Sequence, residues 1–150
     1  MFLQKDDLGS TMYGYQMDQI TEGNDDIIDI AMAAAEEEVR SYLEPNNKIE
    51  WQDGRLRYDA DAVLSAVGAA RNALILKHAI TVAKWWIVDL SSADIIYEQA
   101  KERYDRSADW LKQLASGKVN LSTLPTLSPE DLENDRPPFS FGSRKKFNHE

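Results

Sequence analysis

From residue 72 to residue 90 the chain reads Asn-Ala-Leu-Ile-Leu-Lys-His-Ala-Ile-Thr-Val-Ala-Lys-Trp-Trp-Ile-Val-Asp-Leu, with neither glycine nor proline to interrupt a helix. Asn72, Leu76, Ala79, Ala83, Trp86 and Leu90 recur on one face, and Ala73, Ile80 and Ile87 widen the apolar surface to a second. Only a strip around Lys77, Thr81 and Lys84 is polar. A helix apolar over so much of its circumference has to be covered from two sides, so at least two further helices must pack on it. Lys77 and Lys84 also keep the stretch well short of the roughly 18 consecutive apolar residues of a membrane span.

The flanking sequence supplies those helices. Asn24 is suited to cap a helix over 24–43, with Asp25 and Asp26 at its positive end, and Ile28, Met32, Ala35, Val39 and Tyr42 form its buried stripe. Asp29, Glu36, Glu37 and Arg40 fall mostly on the other side, and Pro45-Asn46-Asn47 ends the segment. A last long helix is expected over 93–116, capped by Ser91 and Ser92, with Ile96, Ala100, Tyr104, Ala108, Leu111 and Ala115 facing inward, a Glu102–Arg106 pair outside and Gly117 as its left-handed cap. Two short helices precede these, one begun by Lys5-Asp6-Asp7-Leu8 and one over 12–20. Asp61 reads as the cap of the long helical region that reaches Leu90, with an interruption near Gly68-Ala69-Ala70. Between Lys48 and Asp59 the alternation of Ile49, Trp51, Leu56 and Tyr58 about Asp53-Gly54 signals a small β-hairpin. The expected fold is therefore all-α, a compact bundle of about four to five helices with that hairpin and an extended C-terminal tail. The body spans 1–117 and the tail 118–150, where prolines replace periodicity.

A chain of 150 residues buries enough surface to hold one core unaided. Its net charge of −9 argues against a chain whose main business is coating nucleic acid by counterion release, no specific nucleic-acid partner is expected, and the absence of cysteine excludes disulfides and thiolate chemistry. Residues 1–50 carry three basic and twelve acidic side chains, so the whole excess lies in the first third. Acidic helix faces usually serve only solvation, yet this one would also steer a basic partner. The start of the chain becomes charged at once, as Lys5-Asp6-Asp7, so a cytoplasmic location is expected, with no membrane partner.

No catalytic or metal-binding pattern emerges, and no cofactor is expected. His78 and His149 stand alone, which makes His78 a packing residue by default. Glu36-Glu37-Glu38 occupies consecutive helical positions that diverge and so cannot converge on one ion. The glycines form no phosphate loop and the serines no nucleophile elbow. Of the adjacent Trp85 and Trp86, one ring can enter the core while the other faces outward. Trp86 lies on the inner stripe, and Trp85 reads as readily as a partner contact. In the tail, Phe139, Phe141 and Phe147 lie close to Arg144, Lys145 and Lys146, a composition that favours docking over solvation. Candidate interface residues are thus Trp85, these six tail residues, and Glu36 and Glu37 on the acidic helix.

Several motifs bear on family. Phe2-Leu3-Gln4-Lys5-Asp6-Asp7-Leu8, Ala34-Ala35-Glu36-Glu37-Glu38-Val39-Arg40-Ser41-Tyr42-Leu43, the apolar run from Leu74 to Leu90, and the stretch from Tyr104 through Trp110-Leu111 and Gly117 to Val119 occur in this order. Phe141-Gly142-Ser143-Arg144-Lys145-Lys146-Phe147 follows. In this pattern the chain resembles the small virion-region proteins of Mu-like phages and prophages, a family of unknown function, and departs from it in the loop from Pro45 to Asp59. The family is similar in helix order and size to head-tail connector, or adaptor, proteins. The resemblance implies a non-catalytic structural subunit that forms a ring-type homo-oligomer on assembly and contacts the portal or other head and tail proteins, in the host cytoplasm and then in the virion. The alternative, from the charge alone, is a small acidic regulator or inhibitor that binds a basic host partner through the Glu36 face.

Overall fold

The computed structural model describes residues 1–9, 14–44, 56–91 and 97–128, and among these it contains helices and no strand. The helices are α1 (Lys5–Gly9), α2 (Gly14–Thr21), α3 (Asp25–Leu43), α4 (Ala60–Ser65), α5 (Ala73–Leu90) and α6 (Tyr97–Ala115), with a 3₁₀ turn at Gly68–Ala70. Helix α3 begins where its cap was expected: the Asn24 side chain accepts the Asp26 N–H at 3.1 Å. Its buried residues are Ile28, Ala31, Met32, Ala35, Val39 and Leu43, while Tyr42 is half-buried at the edge.

The region before α5 departs from one long helix. Asp59, not Asp61, caps α4 by accepting the Ala62 N–H at 3.0 Å, which frees Asp61 to meet Arg40 of α3 at 2.6 Å. The chain then leaves the helical path at Ala66, and Gly68 takes φ +58°, a conformation open to glycine because it lacks a Cβ. This break resets the helix, so Asn72 is not a member of the inner face but the N-cap of α5. Its side chain accepts the N–H groups of Leu74 and Ile75 at 3.0 and 3.1 Å. The face buried along α5 is Ile75, His78, Ala79, Val82, Ala83, Ile87 and Val88, whereas Ala73 is exposed and Leu90 is 43% exposed.

Helix α5 packs on both α3 and α6, as an all-round apolar helix must. In α6, Ser107, Ala108, Leu111 and Leu114 are buried, Ala100, Tyr104 and Ala115 are half-buried, and Glu102 pairs with Arg106. Gly117, at φ +78°, ends the helix, its N–H reaching the Leu114 carbonyl at 3.2 Å. The start expected for this helix at 92–96 lies outside the described residues.

Two peripheral segments complete the body. Phe2 and Leu3 are buried, and Arg71 holds them there: its guanidinium donates to the Phe2 carbonyl at 2.9 Å and forks onto the Asp7 carboxylate at 2.6 and 3.0 Å. At the other end, residues 118–128 are part of the body, although proline spacing places them in the tail. Tyr58 forms an antiparallel bridge with Thr126, Asp59 N–H donates to the Pro125 carbonyl and Leu127 N–H to the Arg57 carbonyl, both at 2.9 Å. Leu124 is buried, and the Leu121 N–H reaches the Tyr58 hydroxyl at 2.8 Å. The far side of the expected hairpin, including Trp51 and Asp53-Gly54, lies outside the described residues. The described side, Arg57 to Asp59, is hydrogen-bonded to the segment after α6.

Candidate functional site

Two regions around α5 combine charge with aromatic or apolar surface. The first lies on the seam with α3 and α6. Glu38 points inward from α3 and accepts the Tyr104 O–H at 2.6 Å on one carboxylate oxygen and the Trp86 indole N–H at 2.9 Å on the other. Burial first, then the bond to Glu38 and its charge, push the Tyr104 phenol well above its ordinary range, so the hydroxyl stays a donor. Tyr42 is raised too, by burial and then by the charge of Glu38. Trp85 stacks on Tyr104 at 5.3 Å between ring centroids and meets Tyr97 at 5.2 Å. Beside this seam His78 is buried, stacked on Trp110 at 4.3 Å, and its Nδ1 lies 3.0 Å from the Ser107 hydroxyl. Burial, assisted by the charge of Lys77, lowers His78 to about 4, so the ring is neutral near pH 7. These groups satisfy one another and form an internal polar frame.

The second region is a groove of about 510 Å³ between α5 and α6, bordered by α2. Leu76, Ile80 and Val88 provide apolar walls, and Lys77, Lys84 and Arg103 provide the charge. No carboxylate lines it among the described residues, and none of the three cations has an ion-pair partner there. Partial burial lowers the Lys84 pKa, and the neighbouring Arg103 charge lowers it further. The groove is thus a concentrated positive surface on a chain of net charge −9.

The residues singled out in the sequence are distributed over several places. The three consecutive glutamates diverge as helical geometry requires. Glu36 turns to accept the Leu3 N–H at 2.7 Å, Glu37 is exposed 3.8 Å from Arg40, and Glu38 enters the seam. Trp85 is half-buried against the two tyrosines, and Trp86 is half-buried with its N–H on Glu38. Phe139, Phe141, Arg144, Lys145, Lys146 and Phe147 lie outside the described residues. The groove escaped sequence reading because Lys77 and Lys84 looked like an ordinary wet strip. The available signal was their spacing on an otherwise apolar helix opposite a second helix bearing Arg103. Among the described residues no helix is long and apolar enough to cross a membrane. Neither the protein-family models nor the curated proteins nor the solved structures compared with this chain match it.

Proposed function

We propose that this chain is an assembly subunit, a helical structural protein of the head-tail connector type, which acts by contact and not by catalysis. The observation that carries the contact reading is the groove between α5 and α6. Apolar walls under Lys77, Lys84 and Arg103 offer burial and charge pairing together, which an acidic protein surface can use and bulk water cannot. The inward polar groups support the same reading, because Glu38 and His78 are committed to Tyr104, Trp86, Ser107 and Trp110, and so rigidify the body that presents the groove. The virion context rests on the motif resemblance, from Phe2-Leu3 through Tyr104 to Val119.

Deleting the gene from the phage or prophage that carries it tests the proposal. Electron microscopy of the resulting lysate is expected to show filled or partly filled heads separated from tails, with joining restored by the gene supplied in trans. Intact tailed particles of normal infectivity would overturn it. If particles are intact and the tagged chain captures a basic host protein, the acidic-regulator reading replaces this one.

A further inference from the structure

The groove has a counterpart on the opposite side of the molecule. Along α3 the buried positions Ile28, Met32, Ala35 and Val39 are matched, two residues earlier in each case, by Asp26, Ile30, Ala33 and, at the last, Glu37, all exposed. A two-residue offset is about 200° around a helix, so this ridge faces directly away from the core. It is acidic at both ends and apolar in the middle, where Ile30 is 57% exposed. The same arithmetic holds on α5. On α5 Trp86 meets Glu38 of α3, the buried Ile75, Ala79 and Val82 share its face by helical spacing, and the groove positions Lys77, Thr81, Lys84 and Val88 lie two residues later in each case. Since α3 and α5 pack together, helical spacing puts the ridge and the groove on opposite outer faces of that pair.

We infer that the groove of one copy receives the α3 ridge of the next, with Ile30 seated on the apolar walls and Asp26 and Glu37 meeting the lysines and Arg103. Charge complementarity favours this occupant: cations without an ion-pair partner among the described residues are matched by carboxylates that flank an exposed isoleucine at helical spacing. Asp26 has no ion-pair partner among the described residues, and Glu37 is held only loosely by Arg40. A patch that binds a different patch on an identical chain is heterologous, so a bound pair still offers one free groove on one copy and one free ridge on the other. Repetition gives a ring or a filament, whereas a twofold dimer is not expected. The inference rests on the assembly-subunit reading and names the first neighbour such a subunit meets.

The test uses the full chain in native mass spectrometry and sedimentation velocity. Wild type is expected to form oligomers beyond dimer that weaken as salt screens the contact. Ile30→Asp disables the ridge, and Lys77→Glu with Arg103→Glu disables the groove. All three sites are exposed, so each variant is expected to keep the wild-type circular dichroism and melting while self-association weakens by roughly tenfold or more. Mixing the two variants is the decisive arm, because one retains the groove and the other the ridge: a one-to-one pair and nothing larger is expected. Three results would overturn the inference: a wild type monomeric at every soluble concentration, folded variants that assemble as wild type does, or a mixture that forms no pair. A monomeric wild type in a chain whose deletion still separates heads from tails would remove the self-contact alone and leave the subunit reading in place.

Discussion

Arg71, just ahead of α5, and Arg103, across from it on α6, are the same residue type in one small body, yet their surroundings are opposite. Arg71 is largely covered, forked onto Asp7, bonded to the Phe2 and Gly68 carbonyls, and lies with its guanidinium 5.9 Å from the centre of the Phe2 ring. Arg103 is exposed beside Lys84, with no ion-pair partner among the described residues. The same division separates Glu38, bonded by two donors from two helices, from Asp26 and Glu37 on the outer ridge. The internal Arg71 and Glu38 are matched to acceptors and donors, whereas Arg103 and Asp26, without an ion-pair partner among the described residues, lie beside the apolar groove walls and the exposed Ile30. The first arrangement holds the body together; the second is what a contact surface requires.

The comparison breaks most visibly if the internal charges prove dispensable. Replacing Arg71 with Met removes the guanidinium that forks onto the largely covered Asp7 carboxylate, and breaking such a pair costs about 3–5 kcal/mol. Urea denaturation should report that loss together with release of the Phe2 end; a change under 1 kcal/mol would mean the latch is decorative. Glu38→Leu is expected to cost about 2–4 kcal/mol, because the Tyr104 hydroxyl and Trp86 N–H both lose their acceptor. Its readout is a lower melting temperature with a changed tryptophan signal in the near-ultraviolet.

Acid sharpens the same contrast. The pKa of His78 is about 4 in the fold against an ordinary 6.5, so between those values the unfolded chain binds a proton that the folded chain does not. Stability is therefore expected to fall as pH drops from about 6.5 toward 4, by up to about 3 kcal/mol from this residue. Below that window Asp7, whose carboxyl the bond from Arg71 holds under its usual range, adds a further loss as it protonates. Urea midpoints measured against pH should show the slope in wild type and a flatter one in His78→Gln. The smallest expected effect belongs to the groove: Lys77→Glu and Arg103→Glu should each shift stability by no more than about 0.5 kcal/mol while changing assembly. A large loss of stability there would mean the cations serve the fold after all.

How legible each part was in the sequence follows from how local its cause is. Helix α3 could be read nearly whole, since the Asn24 cap, the acids at its start and the stripe from Ile28 to Val39 act within a few residues of one another. The cap of α5 could not. Asn72 serves as a stripe residue if the helix runs through and as an N-cap if it breaks, and the break at Gly68 decides which. Residues 118–128 looked like tail because nothing periodic marks them; their order comes from Arg57, Tyr58 and Asp59, far back in the chain. Of the candidate site, the apolar helix with its two lysines was visible, but Arg103 could be assigned to the same groove only once α6 had been packed.

Sequence alone determined that this protein is a helical bundle, because an α5 segment apolar nearly all round has no stable existence without helices on two sides. It also settled that the acid excess belongs to the first third of the chain. Tertiary structure decided the use of each charge. Glu36, Glu37 and Glu38 are identical and consecutive, and the 100° turn between neighbours sends one to the Leu3 backbone, one to solvent and one to Trp86 and Tyr104. The partners of Glu38 are 48 and 66 residues away, a relation that no local pattern encodes and that only the packing of α3, α5 and α6 creates.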